Sequence, residues 1–369
     1  MPIRKVPLFA AHAAFVLPFA LASWAAAQSY TVTDLGTFGG STSYAASINN
    51  AGQVVGRSSL SGDHYNNAFL YSNGSVQDLG TLGGASSAAY GINAAGQVTG
   101  SAAILSADVG HAFIYSNGTM QDLGTLDGSE TSGNAINASG EVAGIAYLKG
   151  VTSRAFLYSN GTMTDLGTFG GPESWGYGIS DAGQVVGWAS LSNFERHAFL
   201  YSNGVMQDLG TLGGTRSSAN AINNLGQIAG GANDWNGYYY AFLYSNGTMT
   251  NLGALGGNFS SADGINSAGQ VVGLAEISGD AADHAFLYAN GTMQDLNSLI
   301  APDSGWVLQD ADAINDVGQI TGFGLINGQT HGFLLTPTPE PGACAIALLA
   351  AAGLLRRRRA GDAGESHSR

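Results

Sequence analysis

Residues 88–124 read AAYGINAAGQVTGSAAILSADVGHAFIYSNGTMQDLG, short apolar runs separated by glycine-bearing turns, and this stretch decides the fold. Ala88 to Asn93 is a strand of small residues. Ala94, Ala95 and Gly96 make a tight turn whose glycine tolerates positive φ, and Gln97 to Ala102 is the returning strand. After a variable loop, His111 to Tyr115 forms a third strand. Asn117-Gly118 is a strong hairpin signal, and Thr119 to Gly124 is the fourth strand.

Outward from this unit the pattern recurs. Asp-Leu-Gly or a close variant begins at Asp34, Asp78, Asp122, Asp165, Asp208, Asn251 and Asp295, with spacings of 44, 44, 43, 43, 43 and 44 residues. Ile-Asn-x-x-Gly or a close variant starts at Ile48, Ile92, Ile136, Ile179, Ile222, Ile265 and Ile314, and Ala-Phe-Leu-Tyr variants place Phe at 69, 113, 156, 199, 242, 286 and 333. Four strands in such a period is the length of one propeller blade. The expected fold is therefore all-β: a seven-bladed β-propeller of four-stranded blades over residues 28–336. The termini fit closure, because Tyr30 to Gly36 is a fourth strand with no hairpin before it and the last copy stops after Leu335. Pairing the two completes the seventh blade and removes an open sheet edge. A β-solenoid is the alternative, although it has no need of complementary partial repeats.

These markers resemble the HAF repeat of bacterial extracellular proteins, as in His111-Ala112-Phe113 and His197-Ala198-Phe199. The resemblance spans about residues 31–335 and implies an extracellular repeat protein without implying a reaction. Asn67, Arg154 and Tyr240 replace the His in three copies, and Gly332 replaces the Ala in the seventh.

Both ends carry export patterns. Residues 1–27 have Arg4 and Lys5, an apolar stretch and Ala25-Ala26-Ala27, which is the layout of a signal peptide. Residues 337–359 comprise a proline-rich spacer with Pro339, Glu340 and Pro341, an uncharged run from Gly342 to Leu355, and Arg356, Arg357, Arg358 and Arg359. As a helix the 14-residue run would reach about 21 Å, short of the roughly 30 Å hydrocarbon core, so transient membrane contact fits better than a stable span. Residues 360–369 read as a disordered tail. The Pro-Glu-Pro, apolar helix and arginine cluster resemble the PEP-CTERM sorting signal of Gram-negative bacteria. That resemblance implies exosortase-type sorting machinery as a partner, a cell-surface or extracellular destination, and a link to exopolysaccharide and biofilm.

Between these ends, five basic residues stand against 23 acidic ones. A body so acidic, without a basic stripe, excludes nucleic acid as a partner. The sole cysteine, Cys344, lies in the tail, so the body holds together without disulfides.

No nucleophile elbow, zinc-protease helix, phosphate loop, EF-hand or dinucleotide fingerprint occurs, and no cofactor or metal site is expected. The repeated Asp reads as a turn cap. The repeated His reads as structural, lacking a fixed carboxylate partner nearby in sequence. Asn-Gly-Thr/Ser at Asn73, Asn117, Asn160, Asn246 and Asn290 is explained by turn chemistry rather than by sugar.

The loops after the second and fourth strands hold the variation, and they gather the candidate ligand-binding residues: Asp63, Tyr65, Trp175, Trp188, Asp234, Trp235, Tyr238 and Trp306. Aromatic faces beside short polar groups suit sugars; the competing reading packs these aromatics between blades. The expected function is a non-enzymatic binding or scaffold protein that engages exopolysaccharide. A propeller-type lyase or hydrolase, with Glu195, Arg196 and His197 as its catalytic group, is one alternative, and a self-associating structural surface protein is another.

Overall fold

The computed structural model describes residues 29–338 apart from 106–108, 151, 280 and 281. The expected signal peptide, the sorting residues Pro339, Glu340, Pro341 and Arg356 to Arg359, and the tail lie outside the described residues.

The described residues form 28 strands and one 3-10 turn, Leu296–Leu299. The strands fall into four-stranded antiparallel units over residues 39–78, 83–122, 128–165, 170–208, 213–251 and 256–295, with a last unit built from residues 306–337 and the N-terminal strand Tyr30–Asp34. We number these units 1 to 7. Single parallel bridges, Arg196 to Arg216 and Tyr239 to Phe259, join units 4, 5 and 6 into one twelve-stranded sheet.

Unit 7 takes its outermost strand from the other end of the chain. Tyr30 pairs with Pro337, Val32 with Leu335 and Asp34 with Phe333. Thr338 N–H donates to the Ser29 carbonyl at 2.9 Å, extending the pairing past the strand. The complementarity of the termini read from the repeats is therefore a backbone ladder.

Within each unit the turn residues act as their chemistry requires. Asn117 (φ 51°) and Gly118 (φ 81°) both sit at positive φ, the mirror-image turn that matches strand twist. The first strand is longer than the small-residue run suggests. In unit 2 it spans Gly83–Ile92, because the Gly83-Gly84 pair crosses over the end of the second strand, where a Cβ on Gly84 would overlap Ala103.

The first strand carries a break in register just before its Ile. In unit 2, Ala89 pairs with Gly100 and Gly91 with Thr99, leaving Tyr90 as the extra residue. Comparable shifts occur in all seven units. A bulge bends the strand and redirects the side chain of its extra residue. Gly100 makes the bend possible, since a Cβ there would collide with the Ala88 carbonyl.

No unit buries its own apolar face. Phe69, Phe113, Phe156, Phe199, Phe242, Phe286 and Phe333 are all fully buried, each ring worth about 1.5–3 kcal/mol. Each sits in a cluster shared with a neighbour. Phe113 and Val98 of unit 2 pack with Val55 and Leu79 of unit 1, Phe286 of unit 6 packs with Ala229 and Leu252 of unit 5, and Phe69 of unit 1 packs with Leu35 and Leu334 of unit 7. Packing thus returns from the last unit to the first.

A chain of amides follows the same path on the turn side. Asn49, Asn93 and Asn137 donate through Nδ2 to the carbonyls of Asn93, Asn137 and Ser180 at 3.0, 2.9 and 3.2 Å. Asn223, Asn266 and Asn315 donate to the carbonyls of Asn266, Asn315 and Asn49 at 2.9, 3.1 and 3.0 Å. Ser180 is too short to continue the series. The link there runs from Asp181 N–H to Asn224 Oδ1 at 2.9 Å, with Asn224 Nδ2 returning to Asp181 at 2.6 Å.

Candidate functional site

The structure divides the aromatic residues singled out in the loops. Trp175 and Trp188 lie within paired strands, Gly170–Ile179 and Val185–Leu191, and face each other across the ladder with ring centroids 5.4 Å apart. Trp188 is only 5% exposed and is covered by the Arg196 guanidinium at 4.2 Å from its ring centroid. It is a wall residue, not a loop ligand, because the second strand runs on to Leu191 before turning. Trp175 donates Nε1–H to Ser153 Oγ at 2.6 Å. Trp306 begins the first strand of unit 7 and packs edge-on against Phe333 at 6.1 Å.

Trp235 and Tyr238 remain exposed in a turn that Asp234 holds, its Oδ1 accepting from Asn236 N–H and Tyr238 N–H at 2.9 Å each. Asp63 and exposed Tyr65 share a loop of unit 1. Asp63 accepts from Ser41 N–H at 2.7 Å, the bond that draws its carboxyl below the usual range. Asp63, Trp175 and Asp234 belong to units 1, 4 and 5, and none of them lines the cavity described below.

The repeated His does have a fixed carboxylate partner, contrary to the sequence reading. His111, His197 and His284 place Nδ1 within 2.9, 2.8 and 2.7 Å of Asp122, Asp208 and Asp295, each eleven residues on, and His331 meets Asp34 at 2.9 Å across the chain ends. Third and fourth strands pair antiparallel through a short hairpin, which sets this spacing. The same Asp caps its turn, as in Asp122 Oδ1 accepting from Gly124 N–H at 2.7 Å. His197 is thus tied to Asp208 while Arg196 turns to Trp188 and Glu173, so the Arg196 and His197 side chains engage different partners.

The site missed by sequence reading is the cavity around which the first strands assemble. The residue two before each repeated Ile lines it in every unit: Ala46, Tyr90, Asn134, Tyr177, Asn220, Asp263 and Asp312. These are the positions that the bulges redirect. The wider end, about 650 Å³, lies away from the Asn turns and adds Ser132, Tyr147 and Asp310 with Glu130 at the rim. Residues two and four before the Ile share a face, as Ser132 Oγ to Asn134 Oδ1 at 3.1 Å and Ser218 Oγ to Asn220 Oδ1 at 2.8 Å demonstrate. A sequence signal was available: the position two before each repeated Ile changes between Ala, Tyr, Asn and Asp beside Ile-Asn-x-x-Gly markers that stay nearly constant.

Three carboxylates face this end from units 6 and 7. Asp263 Oδ1 accepts from Asn220 Nδ2 at 3.1 Å and from Ser261 Oγ at 3.3 Å, but its Oδ2 has no partner. Asp310 Oδ1 and Asp312 Oδ2 are likewise shielded and unpartnered. Burial pushes the Asp263 carboxyl up to about 6. Burial first, and then the charge of Asp263, raise Asp310 and Asp312 well above the usual carboxylate range. Tyr177 and Tyr239 nearby are raised chiefly by burial as well.

No protein-family model and no curated protein matches the chain. Among solved structures it is similar to TolB from Acinetobacter baumannii, with 11% identity and a TM-score of 0.46 over 83% of this chain, and it spans 65% of the length of that chain. It is similar to YCF48 bound to D1 peptide at 12% identity and a TM-score of 0.48, covering 85% of this chain and 96% of that one. For Aleuria aurantia lectin in complex with Fucalpha1-6GlcNAc the values are 14% and 0.40, covering 70% and 96%. Likenesses at this level assign no ligand or activity.

Proposed function

We propose that the seven units are blades of a closed seven-bladed β-propeller, and that the chain is an exported, non-enzymatic surface protein that binds carbohydrate at the mouth of its central channel. The observation that carries the binding reading is the cavity of about 650 Å³ lined by Tyr90, Tyr177, Asn134, Asn220 and the three carboxylates. Its size lies within the range of small-ligand sites. Aromatic faces beside amide and carboxylate groups match the apolar faces and hydroxyl rims of a sugar ring. Closure is supported by the shared Phe clusters, the amide chain and the Tyr30–Asp34 ladder.

The export patterns at both ends and the resemblance to a PEP-CTERM signal support a surface or extracellular destination, with exopolysaccharide as the natural polymer. A rigid ring with varied residues at one channel mouth serves as a scaffold without requiring chemistry. The test is calorimetric titration of the full chain with fragments of the producing cell's own exopolysaccharide. Tyr90→Ala and Tyr177→Ala are each expected to weaken binding at least about tenfold. Binding indifferent to both changes removes the cavity as the site, and depolymerisation of the fragments replaces the scaffold reading with an enzymatic one.

A further inference from the structure

The chemistry of the channel mouth narrows the ligand. Asp310 is 9% exposed and lines the cavity with Oδ1 lacking any partner. Asp263 and Asp312 line it too, each with one shielded and unpartnered oxygen. The protein supplies little to balance them. Arg57 acts on the cluster by lowering Asp312, but its guanidinium lies over the Tyr44 ring at 4.7 Å from the centroid. Among the described residues no ion pair reaches any of the three carboxylates.

A desolvated carboxylate without a partner is costly, and three within electrostatic reach of one another compound the cost. Relief comes from protons or from a cation brought by the ligand. A metal ion requires its oxygens to converge at about 2.0–2.6 Å from one point, and among the described residues no three acidic, His or Cys side chains converge in that way. An ammonium spreads its acceptors wider, since three N–H···O contacts of about 2.8 Å place the oxygens some 4.5 Å apart.

We infer that the cavity selects a carbohydrate bearing a free, protonated amine, held by Asp263, Asp310 and Asp312 while the sugar ring lies against Tyr90 and Tyr177. The inference rests on the carbohydrate reading of the same cavity. Selection follows from charge: an amine offers three donors and a positive charge where an acetamide offers one donor, no charge and added bulk. The raised affinity of these carboxyls for protons expresses the same demand for a cation in the unliganded protein.

The test is titration of the full chain near neutral pH with glucosamine oligomers and with N-acetylglucosamine oligomers of equal length. The amino oligomer is expected to bind at least about tenfold more tightly, and Asp310→Asn and Asp263→Asn are each expected to abolish that preference while remaining folded by thermal denaturation. Equal binding of the two oligomers, unaltered by these substitutions, overturns the inference and leaves the carbohydrate reading standing. Binding of neither oligomer overturns the inference, and if the native polysaccharide also fails to bind, the carbohydrate reading falls with it. Calcium alone binding at a site lost in Asp310→Asn and displacing the amino oligomer also overturns it, by making the carboxylates a metal site.

Discussion

The two ends of the first strands follow opposite rules. At the turn end, Asn49, Asn93, Asn137, Asn223, Asn266 and Asn315 repeat one residue and one hydrogen bond, each side chain spanning to the next unit. At the other end, the equivalent positions hold Ala46, Tyr90, Asn134, Tyr177, Asn220, Asp263 and Asp312, with buried oxygens that bond to nothing. Among the described residues the unpartnered buried side-chain oxygens of the first strands belong to Asp263, Asp310 and Asp312, and none to the Asn turns. The contrast separates residues that hold neighbouring units together from residues that the packed units hold in place.

The sharpest test is at the pairing of Tyr30–Asp34 with the last strand. Removing residues 29–35 strips the outer ladder from Phe333 and Leu335 and opens a sheet edge. Chemical denaturation is expected to show a loss of more than about 5 kcal/mol, together with loss of a single cooperative transition.

A smaller effect is expected at the turn end. Asn137 bonds Glu141 at 2.7 Å and the Ser180 carbonyl at 3.2 Å, and accepts from Ser139 N–H and Glu141 N–H at 3.0 and 2.9 Å. Asn137→Ala should cost about 2–3 kcal/mol in the same measurement. Ser180→Asn, which supplies the amide missing from unit 4, should add about 1 kcal/mol.

At the carboxylate end of the cavity the sign reverses. Asp310→Asn removes a buried charge and should raise stability at pH 7 by about 1–2 kcal/mol. The pH dependence follows from linkage. Asp263 holds its proton to about 6 in the folded chain, whereas an unfolded Asp releases it near 4. Between these values the folded state binds more protons, so stability falls as pH rises through the window, and Asp310 and Asp312 extend the fall until they ionise. The advantage of Asp310→Asn should therefore shrink as pH is lowered toward 4, and a melting series across that range checks it.

The smallest effect is expected at Trp235, 79% exposed. Trp235→Ala should alter stability by less than about 0.5 kcal/mol and leave binding to the cavity unchanged. Loss of binding would return the site to the loops.

Much of the architecture was legible because it repeats. The seven Asp-Leu-Gly markers, the Asn-Gly turns and the unpaired strand at Tyr30 each announce a local backbone requirement, and local requirements are written where they act. The aromatic residues misled where exposure was read from loop position: Trp188 stands three residues inside its strand, under Arg196, whereas Trp235 stands at the turn. The reading of the His as structural missed its carboxylate for a related reason. Its carboxylate is eleven residues away in sequence and becomes a neighbour only when the hairpin folds.

Sequence alone determined the unit, its number of copies, its turns and the way the two chain ends complement each other, since these depend on φ preferences, small-residue patterning and a period countable along one dimension. Only the tertiary structure decided that a bulge turns the residue before each Gly/Ala/Ser-Ile pair inward and that Asp263, Asp310 and Asp312 share one cavity. Charges from separate units interact when packing brings them to one cavity and strips their water, and that proximity exists only in three dimensions.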